Sequence, residues 1–278
     1  MPVYFGKENC YLLIYHLSTM RLIILYLSTF AHTFAAGSLG AAVPAEQIDY
    51  EEPKLLTGSI YRKDPASDRL LFKFRRTATR SGNTVEVLRE YYSPEGSLAA
   101  RERAVYDRDH LVSYKMDELQ SGASGSAVFR SEASSSKSQR IVFEYISKPG
   151  AKTQQGNEAV RQDVLINDMI PAILVAHWKE LMNGVAVRFR FIVLQRAETV
   201  GFKLVKESES TRRGTPVVIV RMEPTSPIIA RLVNPIRFTV EQEGEHRILE
   251  YVGRTTPMIK NRNRWEDLDA LTVFDWTR

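Results

Sequence analysis

A single cysteine, Cys10, occurs in 278 residues, and it precedes the N-terminal apolar run. A disulfide framework, a cysteine–zinc site and thiol catalysis are therefore excluded for everything that follows that run. Histidine is scarce as well: of five, only His110, His177 and His246 follow Ala45. His177 and Glu180 have the i,i+3 spacing that carboxylate-rich metal sites use twice, but the pair occurs once, so no metal site is expected. Neither G-x-G-x-x-G nor G-x-x-x-x-G-K-[ST] is present, which leaves nucleotide binding, and cofactors in general, without support. The excess of 38 basic over 33 acidic residues is too thin for a nucleic-acid surface. The doublets Arg75-Arg76 and Arg212-Arg213 read as solvated strand or turn positions. No later apolar run equals the first, so a polytopic membrane protein is excluded too.

That first run is present for a reason. Leu22 to Leu27 reads LIILYL, follows Met20-Arg21, and gives way to Gly37-Ser38-Leu39-Gly40-Ala41-Ala42. A positive start, an apolar stretch of about 7–15 residues and small residues before a cut make a secretory signal. Residues 1–45 are read as that leader with an upstream extension, Met20 being a candidate start and Ala42 or Ala45 the last residue removed. A retained anchor and a buried helix are the rival readings, and Arg21, His16 and His32 break the longer run that an anchor needs. Loss of Lys7, Arg21 and Glu8 would leave a net charge of +4. A periplasmic or secreted protein without a transmembrane domain is expected.

Residues 46–278 form one expected domain, in which alternation dominates. Leu70, Phe72 and Phe74 alternate with Leu71, Lys73 and Arg75; Val85, Val87 and Tyr91 alternate with Glu86 and Glu90. Period two in β-branched and aromatic residues is the half-buried strand pattern. The same pattern recurs at Ile141–Tyr145, Val185–Val193, Val200–Leu204, Val217–Glu223, Ile236–Val240 and Ile248–Val252. Arg80-Ser81-Gly82-Asn83 and Ser93-Pro94-Glu95-Gly96 supply turns. Ser121–Ser138 reads as a mobile connection with a short strand in it, Glu207–Pro216 as a charged turn, and Pro257–Asp267 as a long connection.

One helix stands out, at about 168–183. Asn167 or Asp168 can cap it, Pro171 falls in its first turn, and Ile170, Ile173, Leu174, His177 and Leu181 follow the 3.6-residue period, with Trp178 widening the stripe. Asn183-Gly184 ends it. About ten strands to one helix, without βαβ order, excludes a parallel sheet. The fold expected is mainly β, in the β-rich α+β sense: a curved antiparallel sheet or incomplete β-barrel wrapping one main α-helix.

No catalytic constellation emerges. Ser121–Ser126 fails the G-x-S-x-G spacing, and the paired acids Glu86/Glu90 and Asp267/Asp269 have exposed patterns. The candidate binding residues are aromatic: Phe74, Trp178, Phe189, Phe191, Phe202 and Phe238. They either fill the core or line a groove between sheet and helix that accepts a lipid or acylated ligand. The function expected is a non-enzymatic, exported binding or assembly protein of the cell envelope, with an envelope protein as a second class of partner. The alternatives are an exported hydrolase acting on envelope polymers and a small outer-membrane barrel, which would turn Lys73, Arg75, Arg188 and Arg190 to its lumen.

The helix end HWKELMNG, the strand VRFRFIV and the late stretch IRFTVEQEGEHRILEYVG, behind a leader and charged hairpins, resemble uncharacterised exported bacterial proteins. The order of elements across residues 55–278 is similar to the half-barrel class of periplasmic lipoprotein carriers. That resemblance implies a curved sheet capped by helix, and lipid or lipoprotein handling; it assigns no binding residue. In an exporting host, intact mass is expected to place the new N-terminus directly after Ala42 or Ala45, and a chain retaining Leu22–Leu27 would refute the leader.

Overall fold

The computed structural model describes residues 48–276 apart from 64–68, 133–134 and 232, so the leader lies outside the described residues. The chain is mainly β: fifteen strands form one large curved sheet that is not closed into a barrel. One arm of the sheet contains β1 (Leu55–Arg62), β2 (Leu70–Ser81), β3 (Thr84–Tyr92), β4 (Leu98–Asp107), β5 (His110–Glu118), β6 (Ala123–Glu132), β7 (Ser135–Ile146) and β8 (Gln154–Ala159). The other contains β9 (Val164–Leu165), β10 (Val187–Val193), β11 (Glu198–Arg212), β12 (Thr215–Pro224), β13 (Ile236–Glu241), β14 (Ile248–Asn261) and β15 (Arg264–Asp275). Sequence neighbours pair within each arm, and β1 pairs antiparallel with β15 to join the arms, Thr57 lying opposite Asp275 and Arg62 opposite Ala270. First and last strands thus meet in the middle of the sheet.

Alternation sends one face inward. In β4, Ala100, Glu102, Ala104 and Tyr106 are buried while Arg103 is exposed. Right-handed twist bends so wide a sheet. The arms come to face each other: β14 touches β4 and β5, while β6 and β7 touch the 3₁₀ turn Leu194–Arg196. At the open seam β8 meets β11, where the Thr199 amide and hydroxyl donate to Glu158 at 3.0 and 2.6 Å. Side chains bridge the seam where a barrel would have a strand ladder.

The helical segment joins β9 to β10. A 3₁₀ turn, Asn167–Met169, leads into α1 (Ile170–Ala176), and α2 (Trp178–Met182) follows after a break at His177 (φ −106°, ψ 20°). Ile170, Ile173, Leu174 and Leu181 are buried in the core that the sheet encloses, and Gly184 stops the segment at φ 77°. A short α3 (Pro227–Ala230) links β12 to β13. No helix among the described residues is long and apolar enough to cross a membrane.

Four details differ from the sequence reading. The helix is broken at His177, and neither Asn167 nor Asp168 caps it through a side chain. The β9–β10 pair is parallel, because the helical crossover returns the chain in the same direction. Glu207–Pro216 and Pro257–Asp267 extend the β11–β12 and β14–β15 hairpins; residues 207–216 and 260–264 are exposed on both faces and carry no apolar stripe, so the backbone ladder alone defines those tips. The Ser-Gly-Ala run is the β6–β7 hairpin. Ala123, Gly125 and Ala127 face inward there, and a Cβ on Gly125 would press on Leu194 at 3.0 Å. Small residues let the arms approach.

The seam makes one demand of its own. A Cβ on Gly156 would overlap the Ala197 carbonyl. Gly156→Ala is expected to force β8 from the other arm at a cost of about 1–3 kcal/mol, read as a lower urea midpoint; an unchanged midpoint would mean the seam does not hold.

Candidate functional site

The inward phase of four strands converges on one place. β2 contributes Phe74 and Arg76, β3 contributes Arg89 and Tyr91, β14 contributes Tyr251 and Thr256, and β15 contributes Phe274. Above them lie the lead-in, residues 48–54, and the start of the helical segment at Asn167, Asp168 and Pro171. A cavity of about 70 Å³ remains between these layers. Its wall is largely aromatic: Phe274 meets Phe74 edge-on at 5.5 Å, and a side chain at Gly58 would collide with the Phe74 ring.

Its floor is a buried polar network. Arg76 and Asp168 have side chains 4% and 8% exposed, with Nε to Oδ1 at 2.7 Å and Nη2 to Oδ2 at 3.2 Å. Arg89 reaches the same carboxylate at 3.4 Å, and the Tyr106 hydroxyl donates to it at 3.1 Å. Burial opposes ionisation of Asp168, but Arg76, Arg89 and Tyr106 outweigh it and hold the carboxyl below its usual range. Arg76 also donates to the carbonyls of Tyr50 at 2.7 Å, Glu51 at 3.4 Å and Pro53. One guanidinium thus fastens lead-in, sheet and helix together.

A second carboxylate lies deeper. Glu102 accepts from Tyr91 at 3.2 Å, Tyr114 at 3.0 Å and Thr256. Burial pushes the phenols of Tyr91, Tyr106 and Tyr114 up, so they stay protonated and serve as donors. Arg89 lies 5.7 Å over the Phe74 ring, and its Nε has no partner among the described residues. The cavity therefore offers apolar surface with a few fixed polar groups.

A second cleft, of about 210 Å³, opens on the other side of Tyr50, whose ring stacks on Tyr106 at 4.3 Å. Leu111, Phe129, Met169 and Ile173 supply its apolar wall, with Asp109, Asp163 and His177 as polar neighbours. It lies between sheet and helix, and Tyr50 borders both spaces.

Of the six aromatic candidates, Phe74 alone lines the smaller cavity, and none lines the larger cleft. Phe189, Phe191 and Phe202 pack edge-to-face at 6.5 and 5.8 Å. Phe238 sits behind Tyr251 at 5.4 Å, and Trp178 stacks on His246 at 4.0 Å. Sequence reasoning missed Arg76, Arg89, Glu102 and Asp168. The signal for three of them was phase: Arg76 continues Phe72 and Phe74, Arg89 fills the gap between Val87 and Tyr91, and Glu102 falls between Ala100 and Ala104. Among the described residues, no group of three or more His, Cys, Asp or Glu side chains is arranged to hold a metal ion.

Asp168→Asn leaves two buried cations without their countercharge, and about 3–5 kcal/mol of stability is expected to be lost at neutral pH. Because the folded carboxyl is held below the ordinary 3.8, that contribution is complete above this value and fades as the pH falls through the folded one. Urea midpoints of both proteins across the acid range measure it, and equal midpoints at neutral pH would refute the role. Comparison with protein families, curated proteins and solved structures finds no match to this chain, so its function is argued from the geometry.

Proposed function

We propose that the protein is an exported, non-enzymatic binding or assembly factor of the cell envelope that takes the apolar end of a lipid-type or acylated ligand between sheet and helix. The observation that carries this reading is the 210 Å³ cleft walled by Leu111, Phe129, Met169 and Ile173, with the 70 Å³ cavity beyond Tyr50. Sites for drug-sized ligands occupy about 300–1,000 Å³. Spaces below that range suit one end of a chain, with the rest of the ligand or an envelope protein partner outside. The leader motif at Leu22–Leu27 supports export, and lipid handling is what the resemblance in element order to lipoprotein carriers implies.

The hydrolase alternative has weaker support. A general acid or base needs a free proton site beside substrate. Asp168 and Glu102 are instead engaged by Arg76, Tyr106, Tyr91, Tyr114 and Thr256.

Protein purified without detergent from an exporting host is expected to release acyl species on solvent extraction, detected by mass spectrometry. After delipidation it should bind a fluorescent fatty acid. Phe129→Glu, at a half-buried wall position, should weaken that binding by about tenfold, the equivalent of ~1.4 kcal/mol, with unchanged circular dichroism. An empty protein that binds no fatty acid would overturn the reading.

A further inference from the structure

The two arms of the sheet touch at a junction that contains an unpaired acid. β14 leaves register with β15 between Thr255 and Ile259, and residues 256–258 lie against the opposite arm, at β4 and β5. Three contacts seat them. The Thr256 hydroxyl donates to Glu102, Gln120 donates to the Met258 carbonyl at 3.4 Å, and the Ser121 hydroxyl meets the Met258 sulfur at 3.7 Å. At the end of β5, in phase with Tyr114 and Met116, Glu118 is buried beside the Met258 backbone and Glu102, at the same junction.

Glu118 is 1% exposed, and neither of its carboxyl oxygens has a hydrogen-bond partner among the described residues. The Met258 amide lies close enough to favour the ionised carboxyl, though it falls outside hydrogen-bond geometry to either oxygen. The titratable groups that act on it or feel it are Glu102 from β4, Asp267 from β15 and Tyr145 from β7; none is a cation. Burial pushes the Glu118 carboxyl up to about 8; the Met258 amide opposes the shift, and Glu102 and Asp267 add to it. As a neutral acid it suits a dry junction. As an anion it would be a buried charge beside two other carboxyl groups, a state that proteins avoid by admitting water or a proton.

We propose that this junction is a proton-operated latch between the arms: while Glu118 holds its proton, residues 256–258 stay seated on β4 and β5, and when the proton leaves to water, the segment lifts to hydrate the carboxylate. Thr255 and Thr256 also line the smaller cavity, so lifting opens one of its walls. The latch requires no ligand and stands apart from the binding reading.

Hydrogen–deuterium exchange of the full chain, corrected for intrinsic rates, tests it at about pH 6 and about pH 9. Peptides over 116–121 and 254–260 are expected to lose about tenfold protection between these conditions, while the β11–β12 hairpin keeps its own. Glu118→Gln cannot ionise and should hold the protected pattern throughout. Equal protection of the wild type at both conditions, or the same loss in the variant, would overturn the latch. Should the variant fail to fold, the carboxyl ¹³C shift of wild-type Glu118 decides. A midpoint near 8 supports the proposal and an ordinary one near 4.5 refutes it.

Discussion

The ion pair between Arg76 and Asp168 joins three parts of the molecule through side chains: the sheet, the start of the helical segment and the lead-in. Arg76 belongs to the sheet, Asp168 to the 3₁₀ turn that leads into the helix, and the carbonyls of Tyr50, Glu51 and Pro53 to the lead-in. A buried guanidinium needs a countercharge and acceptors for its donors. Asp168 and three main-chain oxygens answer that need, and in doing so they set where the helix starts over the sheet. The cavity is what remains between the parts so fixed, and its polar floor is the same set of groups.

The second constraint is topological. Pairing β1 with β15 makes one sheet of two meanders and puts their far edges, β8 and β9, at opposite ends. The chain segment between those edges is short, so the arms must curl toward each other for the chain to pass from one to the other. Small inner residues on β6 and Gly156 on β8 allow that approach. Most inward aromatics then fill the interior, as the mutual packing of Phe189, Phe191 and Phe202 illustrates. Space survives beside the helix start, where charged and tyrosine side chains hold layers apart that apolar ones would collapse.

Several elements are legible in the residue pattern alone. Strong stripes such as Ile141–Tyr145 and Val185–Val193 marked their strands, and the apolar period of Ile170–Leu181 located the helical segment. Elements without a stripe were not legible. The solvent-exposed ends of β11, β12, β14 and β15 are held by backbone hydrogen bonds, which leave no compositional trace. The Ser-Gly-Ala strand was hidden because small residues signal both a linker and a close approach of two layers. Asp168 sits where a helix cap belongs, and a local reading assigns it that task; only the arrival of Arg76 from 92 positions away assigns it another.

By itself the sequence determined that alternate side chains face opposite ways and pointed to an antiparallel layer wrapping one amphipathic rod. Those are properties of neighbouring residues, and a period of two or of 3.6 carries them. The break in that rod at His177 and the parallel β9–β10 pair came from the tertiary structure. Tertiary structure alone decided which in-phase charges meet, how close the arms come, and where the interior stays unfilled. These depend on the curvature of a fifteen-strand sheet, which places Thr256 on Glu102 across 154 positions. No local pattern encodes a curvature accumulated over so many strands.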